Sequence, residues 1–287
     1  NLDSPWIGGT LAGLKADGIP DAAREVLVVG SDSHGLVPRD GSVRFLACDD
    51  RPNPAGARNR GVAAAGGDLI LFVDADCTPL AGWAEALAAA LVRSPIAGGA
   101  VTFPRERERT NRWALADNIA SFHELLADRP AEDSTNRPLG SLNLAVRRET
   151  WDQVGPFDEA LTTSEDFDWI LRARGLGIPT AFVPQAVVEH AAVRADREAL
   201  LRHARWYGSN FHAFRARHPQ AFGTGPTWSS RERLRRAAPL KSWTAALSIF
   251  LSHPSLWPSL RAFSGVVAFR RAWYETVIAH WPEDAAR

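Results

Sequence analysis

The stretch "LILFVDADCTP", residues 69–79, places two aspartates directly after a run of five apolar residues. A continuous apolar run of this length is typical of a strand that is buried on both faces of a parallel sheet. Carboxylates at the end of such a strand are costly unless something pairs with them, so Asp74 and Asp76 need a partner. Because ligands bind beyond the carboxyl ends of the strands in an open parallel sheet, the stretch predicts a ligand site.

Short apolar runs alternate with helix-like stretches on both sides of this segment. The predicted strands are 25–30, 43–47, 68–74, 96–103, the start of 139–155, and two short strands at 180–183 and 186–190. The predicted helices are 54–67, 81–94, the end of 139–155 and 164–177. This alternation predicts an α/β fold with a Rossmann-like, mostly parallel sheet flanked by helices. Only helical patterns follow, over about 195–218 and 240–282, so we expect a catalytic domain at 1–193 and a helical C-terminal extension at 194–287.

The charges are distributed unevenly, although Lys plus Arg and Asp plus Glu are 33 each. Residues 1–193 carry 18 basic and 27 acidic side chains, whereas residues 194–287 carry 15 basic and 6 acidic ones. The overall balance gives no reason to expect nucleic acid as a partner. The basic extension instead indicates an anionic membrane surface.

Cysteine content and hydropathy predict where the protein works. Cys48 and Cys77 form neither a metal-binding pattern nor a disulfide framework, which favours a reducing, cytoplasmic setting. No stretch reaches the roughly 18 apolar residues of a membrane-spanning helix, and no signal peptide is recognisable. We therefore expect a cytoplasmic protein that is peripheral on the inner face of the membrane.

The spacing of Asp74 and Asp76 predicts a metal site. Residues two apart on an extended chain point the same way, so both carboxylates can reach one ligand. Their hard oxygen atoms suit Mg²⁺ or Mn²⁺, particularly when substrate phosphates complete the coordination shell. A turn with solvated aspartates is the alternative.

Two enzyme classes place such a D-x-D pair directly after a strand. In haloacid dehalogenase-type phosphatases the pattern is D-x-D-x-T, which Asp74, Asp76 and Thr78 satisfy, and Asp74 would be the nucleophile. That class also needs a downstream lysine, but the chain has no lysine between residues 77 and 240. Arginine is a poor substitute at such a point-charge site, so the phosphatase is the second alternative.

Three segments together resemble the other class, the family 2 glycosyltransferases of the GT-A fold. They are "ARNRGVAAAGGDLILFVDADCTPLAGWAEAL" (57–87), "LNLAVRRETWDQVGPFDEAL" (142–161) and "SEDFDWILRARGLG" (164–177). The resemblance covers roughly 1–190 and lacks the family's first strand, which usually precedes the residue matched by Asn1. It implies metal-dependent, inverting transfer of a sugar from a nucleotide-diphosphate donor to the hydroxyl of a glycan, lipid or small-molecule acceptor, such as one of the cell envelope.

The resemblance also implies roles for five residues in the chemistry. Asp76 is the main metal ligand, Asp74 contacts the ribose or the metal through water, and His190 in "VVEH" is a third metal ligand. Asp166 of the "ED" pair is the catalytic base, and Glu165 orients the acceptor or its loop. Helix capping is the alternative for the two acids, because the helix dipole favours acids in the first turn.

Three further residues are implied to contact the substrates. Arg58 and Asn59 lie beside the nucleotide, with a surface salt bridge as the alternative for Arg58. Asn143 lies beside the acceptor or donor sugar, with a structural turn as its alternative. The segment "VVGSDS" (28–33) departs from the family's acidic pattern at the nucleotide base, which leaves open a non-catalytic nucleotide-sugar-binding scaffold.

The extension carries a further, less specific resemblance. Its "YG" and "RHP", within 207–219, are similar to a segment of mycofactocin-type glycosyltransferases. An apolar set recurs farther on at helical spacing, interspersed with arginines: Trp257, Leu260, Phe263, Val267, Tyr274 and Ile278, with Arg261, Arg270 and Arg271. One interpretation is an interfacial helix on an anionic membrane, and the other is a helix that packs on the core or on a partner.

Overall fold

The computed structural model describes residues 3–21, 24–50, 52–128, 138–221 and 226–282. The chain divides into two compact units. The first comprises Asn1–Thr102 and Glu124–Ala191, and the second comprises Phe103–His123 and Ala192–Arg287. The second unit therefore combines the C-terminal extension with a segment from the middle of the chain.

Helices and strands alternate through the first unit, and helices make up the second. In chain order the elements are α1 (Ile7–Ala16), β1 (Leu27–Gly30), β2 (Arg44–Ala47), α2 (Pro54–Ala64), β3 (Leu69–Val73), β4 (Cys77–Pro79), α3 (Trp83–Leu91), β5 (Ile96–Thr102), α4 (Arg112–Phe122), β6 (Asn143–Arg147), α5 (Arg148–Val154), α6 (Glu165–Gly175), β7 (Thr180–His190), α7 (Arg197–Ser209), α8 (Phe211–Arg217), α9 (Arg231–Ser252) and α10 (Phe263–Ala279). Short 3-10 helices occur at His123–Leu125, Pro219–Ala221, Pro226–Ser229 and Pro254–Ala262. The predicted α/β class with a helical C-terminal part is confirmed.

The strands of the first unit form two sheets. β1 and β2 are a parallel pair, and the other five strands have the order β3-β6-β5-β7-β4. In the larger sheet β5 and β7 are parallel, whereas β6 runs antiparallel to both β3 and β5, and β4 runs antiparallel to β7. The sheet is therefore mixed. The prediction that residues 68–74 form a strand inside a parallel sheet is wrong, because the neighbour of β3 runs the other way.

β7 is one strand, where the sequence predicts two short ones. Its register against β5 shifts between Gly99, which lies opposite Val183, and Ala100, which lies opposite Val187. The extra residues on β7 form a bulge, and a bulge leaves residues unpaired without ending the strand. The apparent break in the sequence is therefore an irregularity within a strand that runs on to His190.

An aromatic cluster fixes α5 and α6 against β3. Phe72 contacts the rings of Trp151 and Phe157, with centroid distances of 5.6 Å in both cases. Trp151 in turn stacks on Trp169 of α6, with a centroid distance of 5.5 Å. Burial of four large rings is among the most stabilising contributions a core can contain. This packing brings the start of α6 close to the end of β3.

In the second unit, α10 packs against α4, α7 and α9. Two glycines permit close approach of these helices. A Cβ atom on Gly208 of α7 would lie 2.9 Å from the carbonyl oxygen of Trp273, and one on Gly265 of α10 would lie 2.5 Å from the Cβ of Ala116. Within the described ranges, no helix has the length and apolar content needed to cross a bilayer.

The apolar set predicted at 257–278 does not form one helical face. A 3-10 helix ends at Ala262 before α10 begins, so Trp257 and Leu260 are exposed, whereas Tyr274 packs in the second unit's apolar cluster. Arg261 donates hydrogen bonds to backbone carbonyls of the same unit, at distances of 2.8 and 3.1 Å. The set is therefore divided between two helices, and it does not form the single apolar face that the interpretation as an interfacial helix expects.

Candidate functional site

A tight turn carries the two aspartates from β3 into β4. The backbone N–H of Cys77 donates to the carbonyl oxygen of Asp74 at 3.0 Å, which closes the turn. β4 then pairs antiparallel with β7, so that Cys77 lies opposite His190. The backbone N–H of Ala191 donates to the carbonyl oxygen of Asp76 at 2.8 Å and extends this pairing to the turn.

Arg58 of α2 links acids from two distant parts of the chain. Its Nη2 donates to Asp74 Oδ1 and its Nη1 donates to Glu165 Oε1, both at 2.6 Å. The side chains of Arg58 and Glu165 are only 14% and 8% exposed, so their pair is shielded from water, whereas the side chain of Asp74 is 38% exposed. We call this arrangement the Arg58 bridge. It joins the D-x-D turn to the first turn of α6. Arg58 therefore forms salt bridges, as its alternative role predicted, but its side chain is mostly buried and does not lie at the surface.

The Arg58 bridge shifts pKa values in opposite directions at its two ends. Burial opposes ionisation of Asp74, but the charge and hydrogen bond of Arg58 outweigh it and lower the pKa of this carboxyl. At the other end, burial and the charge of Asp166 raise the pKa of Glu165 to about 7, against the opposing charge of Arg58. At neutral pH Asp74 is therefore ionised, whereas Glu165 is divided between its two forms.

Asp166 is held in one orientation at the start of α6. Ser141 donates to Asp166 Oδ2 from its backbone N–H at 2.9 Å and from its hydroxyl at 3.1 Å. Just before α6, Ser164 has a φ of 65°, and its side chain makes no capping hydrogen bond. Left-handed backbone at a residue other than glycine is uncommon and concentrates at functional sites.

Asp76, Cys77 and His190 form a cluster with the spacing of metal ligands. One donor atom from each lies within 4.8 Å of the other two. His190 Nδ1 lies 2.8 Å from the carbonyl oxygen of Ala191, and a carbonyl only accepts, so Nδ1 carries the hydrogen. In the tautomer with its hydrogen on Nδ1, His190 presents Nε2 toward Asp76, whose Oδ2 lies 3.6 Å away. Carboxylate, sulfur and imidazole are ligands of divalent cations, and a histidine that binds a metal through one ring nitrogen has its tautomer fixed by a hydrogen bond from the other. A divalent cation therefore fits this donor set.

The cluster departs from the predicted metal site in two respects. Asp74 is not a member of it, because its Oδ1 atom is paired with Arg58. Cys77 is a member, although the two cysteines form no metal-binding pattern in the sequence. The sequence alone does not show that Cys77 lies near His190, since their proximity depends on the register of β4 against β7.

Two predicted substrate contacts are corrected by the structure. Asn143 is buried, accepts a hydrogen bond from Trp83 Nε1, and donates to the carbonyl oxygens of Ala100 and Ala186. Asn59 donates to the Phe157 carbonyl and to Glu159, and it accepts from the Phe157 N–H. Both amides are engaged in holding the protein together, so neither is placed to bind a nucleotide or a sugar.

A cavity of about 1030 Å³ lies between β1 and β3, beside the turn. Residues of both strands and of the helices α1 and α2 line it, and Arg58, Asp74 and Asp76 belong to the same lining. Ligand pockets have volumes of roughly 300–1,000 Å³, so the space is large enough for a small molecule. The carboxylates of the turn therefore border a cavity of ligand size.

Comparison of sequences identifies relatives of the chain. Residues 14–151 match the family model described as glycosyl transferase family 2. The chain is 31% identical over 169 residues to the pre-mycofactocin glycosyltransferase of Mycobacterium tuberculosis. The aligned segment covers 58% of this chain and 36% of that protein. It is 27% identical over 184 residues to glycosyltransferase AglE of Haloferax volcanii. That aligned segment covers 60% of this chain and 58% of AglE. The chain thus spans only part of either relative.

Comparison of structures agrees with the sequence match. The fold resembles the mannosyltransferase PcManGT from Pyrobaculum calidifontis, solved with GDP-Man and Mn²⁺, with a TM-score of 0.56 and 16% sequence identity. The likeness covers 96% of this chain and 85% of that one, and at this identity it shows the GT-A fold. The D-x-D segment lies within the residues that match the glycosyl transferase family model. Residues 14–151 are therefore similar to glycosyl transferase family 2, and the fold of the chain is of the GT-A type.

Proposed function

We propose that this chain transfers a sugar from a nucleotide-diphosphate donor to an acceptor hydroxyl, with a divalent metal and with inversion at the anomeric carbon. The observation that carries the proposal is the Arg58 bridge. It joins Asp74 of the D-x-D turn to Glu165, the neighbour of Asp166. The acids proposed to act on the donor and on the acceptor therefore belong to one connected site.

On the donor side, Asp76 and His190 are the residues that would hold Mn²⁺ or Mg²⁺. A bound divalent metal neutralises the charge that develops on a departing diphosphate. The relative from Pyrobaculum calidifontis was solved with GDP-Man and Mn²⁺, which supports a nucleotide sugar and Mn²⁺ as the first donor and metal to test. Arg58 and Asp74 border the cavity beside the turn, where they would contact the donor.

On the acceptor side, Asp166 is the proposed base. The two hydrogen bonds from Ser141 are made to Oδ2 and hold the carboxylate in place. Asp166 would take the proton of the acceptor hydroxyl as the oxygen attacks the anomeric carbon opposite the diphosphate, whose bond to the sugar breaks. Glu165 would orient the acceptor loop through Arg58. The acceptor is a glycan, a lipid or a small molecule. The first acceptor to test is pre-mycofactocin, which appears in the name of the mycobacterial relative.

The direct test is turnover of nucleotide sugars. We expect the chain to transfer or hydrolyse GDP-mannose or a UDP-sugar with Mn²⁺, and we expect Asp76→Ala to lose the metal-stimulated turnover, because it removes the carboxylate ligand. Asp152→Ala, which changes an exposed acid on α5, is the matched control and should behave like the unchanged chain. Tight nucleotide binding without turnover with any donor would instead support the non-catalytic scaffold.

We also propose that the second unit docks on an anionic membrane surface. An exposed apolar stripe runs along one face of α9, where Leu240, Trp243, Leu247 and Leu251 recur three or four residues apart and are 49–70% exposed. α9 also carries four arginines and a lysine against one acid. Apolar and basic side chains together are typical of helices that bind anionic lipid at the interface. The free thiols of Cys48 and Cys77 fit the cytoplasmic face of that membrane.

Co-sedimentation with vesicles tests this membrane contact. We expect binding to vesicles that contain phosphatidylglycerol and little binding to pure phosphatidylcholine, because the basic side chains need an anionic surface. Leu247→Ser with Leu251→Ser should reduce the bound fraction, since each leucine contributes buried apolar area. The control is Leu176→Ser, which changes an exposed leucine of the first unit. Self-association through the stripe, without vesicle binding, would contradict the proposal.

A further inference from the structure

Cys77 is a buried thiol whose neighbours are a carboxylate and an imidazole. It is 0% exposed and begins β4, directly after Asp76 and directly opposite His190. Opposite residues of an antiparallel pair have their side chains on the same face of the sheet, so the thiol and the imidazole share one surface. Sγ of Cys77 lies 4.0 Å from Asp76 Oδ1.

Two of the separations in this cluster can be compared with those of a tetrahedral zinc site. Zinc binds sulfur at about 2.3 Å and nitrogen or oxygen at about 2.0–2.2 Å, which places tetrahedral ligand atoms about 3.3–3.7 Å apart. The corresponding distances here are 3.6 Å between Asp76 Oδ2 and His190 Nε2, and 4.0 Å between Cys77 Sγ and Asp76 Oδ1. One donor atom from each of Asp76, Cys77 and His190 lies within 4.8 Å of the other two, so side-chain rotations that shorten these distances by up to about 1 Å would close the cluster around a cation.

We propose that Cys77 is a third protein ligand of this cation site, and that its sulfur makes the site prefer a thiophilic ion, Zn²⁺ or Cd²⁺, over Mn²⁺ and Mg²⁺. The inference rests on the proposed function for the metal roles of Asp76 and His190, and it adds the sulfur donor and the resulting selectivity. Thiolate and imidazole favour zinc, whereas Mg²⁺ and Mn²⁺ prefer oxygen ligands.

The binding step releases a proton. The metal ion displaces the hydrogen of the Cys77 thiol, the sulfur–metal bond forms, and the proton passes to the buffer, because only the thiolate is a ligand. Mn²⁺ held by oxygen and imidazole leaves the thiol intact. Wild-type protein should therefore release one more proton with Zn²⁺ than with Mn²⁺, and calorimetry in buffers of different protonation enthalpy measures this without any variant.

A cadmium titration identifies the sulfur. We expect the ultraviolet sulfur-to-cadmium charge-transfer band in the wild-type chain and in Cys48→Ser, and we expect no band in Cys77→Ser. Cys48 is the matched control because it is also a buried free thiol, but it belongs to no metal-spaced cluster in the part of the chain that the structure describes. Loss of an outer-shell partner costs about 10–100-fold in metal affinity, so Cys77→Ser should weaken Zn²⁺ binding by about 100-fold or more. Its Mn²⁺ affinity should not change.

Each outcome bears on one claim. A band that persists in Cys77→Ser, equal proton release with Zn²⁺ and Mn²⁺, or equal losses of Zn²⁺ and Mn²⁺ affinity would overturn the inference. Mn²⁺-dependent sugar transfer without a cadmium–sulfur band would overturn it as well and leave the proposed function standing. A Cys77-dependent band without turnover of any nucleotide sugar would retain the sulfur ligand while the glycosyltransferase proposal fails.

Discussion

Replacement of Asp166 by asparagine is expected to lower kcat for sugar transfer by about 10²–10⁴-fold, the usual contribution of a general base. The substitution removes the group that accepts the proton of the acceptor hydroxyl. It keeps the shape of the side chain and an oxygen that can still accept the hydrogen bonds from Ser141. The measurement is steady-state turnover with saturating nucleotide sugar and Mn²⁺, together with the affinity for the donor.

The affinity for the donor separates loss of the base from loss of the fold. Asp166→Asn should bind the nucleotide sugar as tightly as the unchanged chain, because the metal cluster belongs to other elements. Asp152→Asn, an exposed acid changed in the same way, should keep full turnover. An effect of Asp166→Asn confined to KM, with kcat unchanged, would show that Asp166 contributes to binding and does not take the proton.

Replacement of Arg58 by leucine is expected to lower the free energy of unfolding by about 3 kcal/mol. Breaking a buried ion pair costs roughly 3–5 kcal/mol, and the lower end applies because Asp74 is 38% exposed. The substitution leaves Glu165 and Asp74 without the cation that both contact. Arg60→Leu on the same helix is the control, and its effect should be close to none, because Arg60 pairs with Asp50 at the exposed surface.

The loss caused by Arg58→Leu should grow with pH. In the unchanged protein the pKa of Glu165 is raised from 4.5 to about 7, so this group's contribution to stability is complete below about 4.5 and decreases as the pH rises to about 7. Without the Arg58 charge the pKa of Glu165 rises further, and the decrease continues to higher pH. Denaturant unfolding at about pH 5 and about pH 8 measures this difference. A loss that is equal at both pH values would contradict the pKa assignment to Glu165.

The sequence by itself determined the α/β class and the order of most helices and strands, because these follow from local periodicity. It also placed Asp74 and Asp76 at the end of a strand, and the resemblance of its segments indicated the glycosyltransferase family whose model matches residues 14–151. From the sequence, Glu165 and Asp166 were predicted to lie in the first turn of a helix, as they do in α6. All of these properties depend on neighbours within a few residues of the chain.

Only the tertiary structure decided which side chains meet. β3 runs antiparallel to β6, Arg58 pairs with Glu165, and Cys77 lies opposite His190; each contact depends on the direction or register of elements far apart in the chain. Asn143 illustrates the same limit, since burial and three hydrogen bonds to distant groups remove it from the site. The periodicity of a segment is a local property of the chain, whereas the partner of a polar atom depends on a distance across the fold.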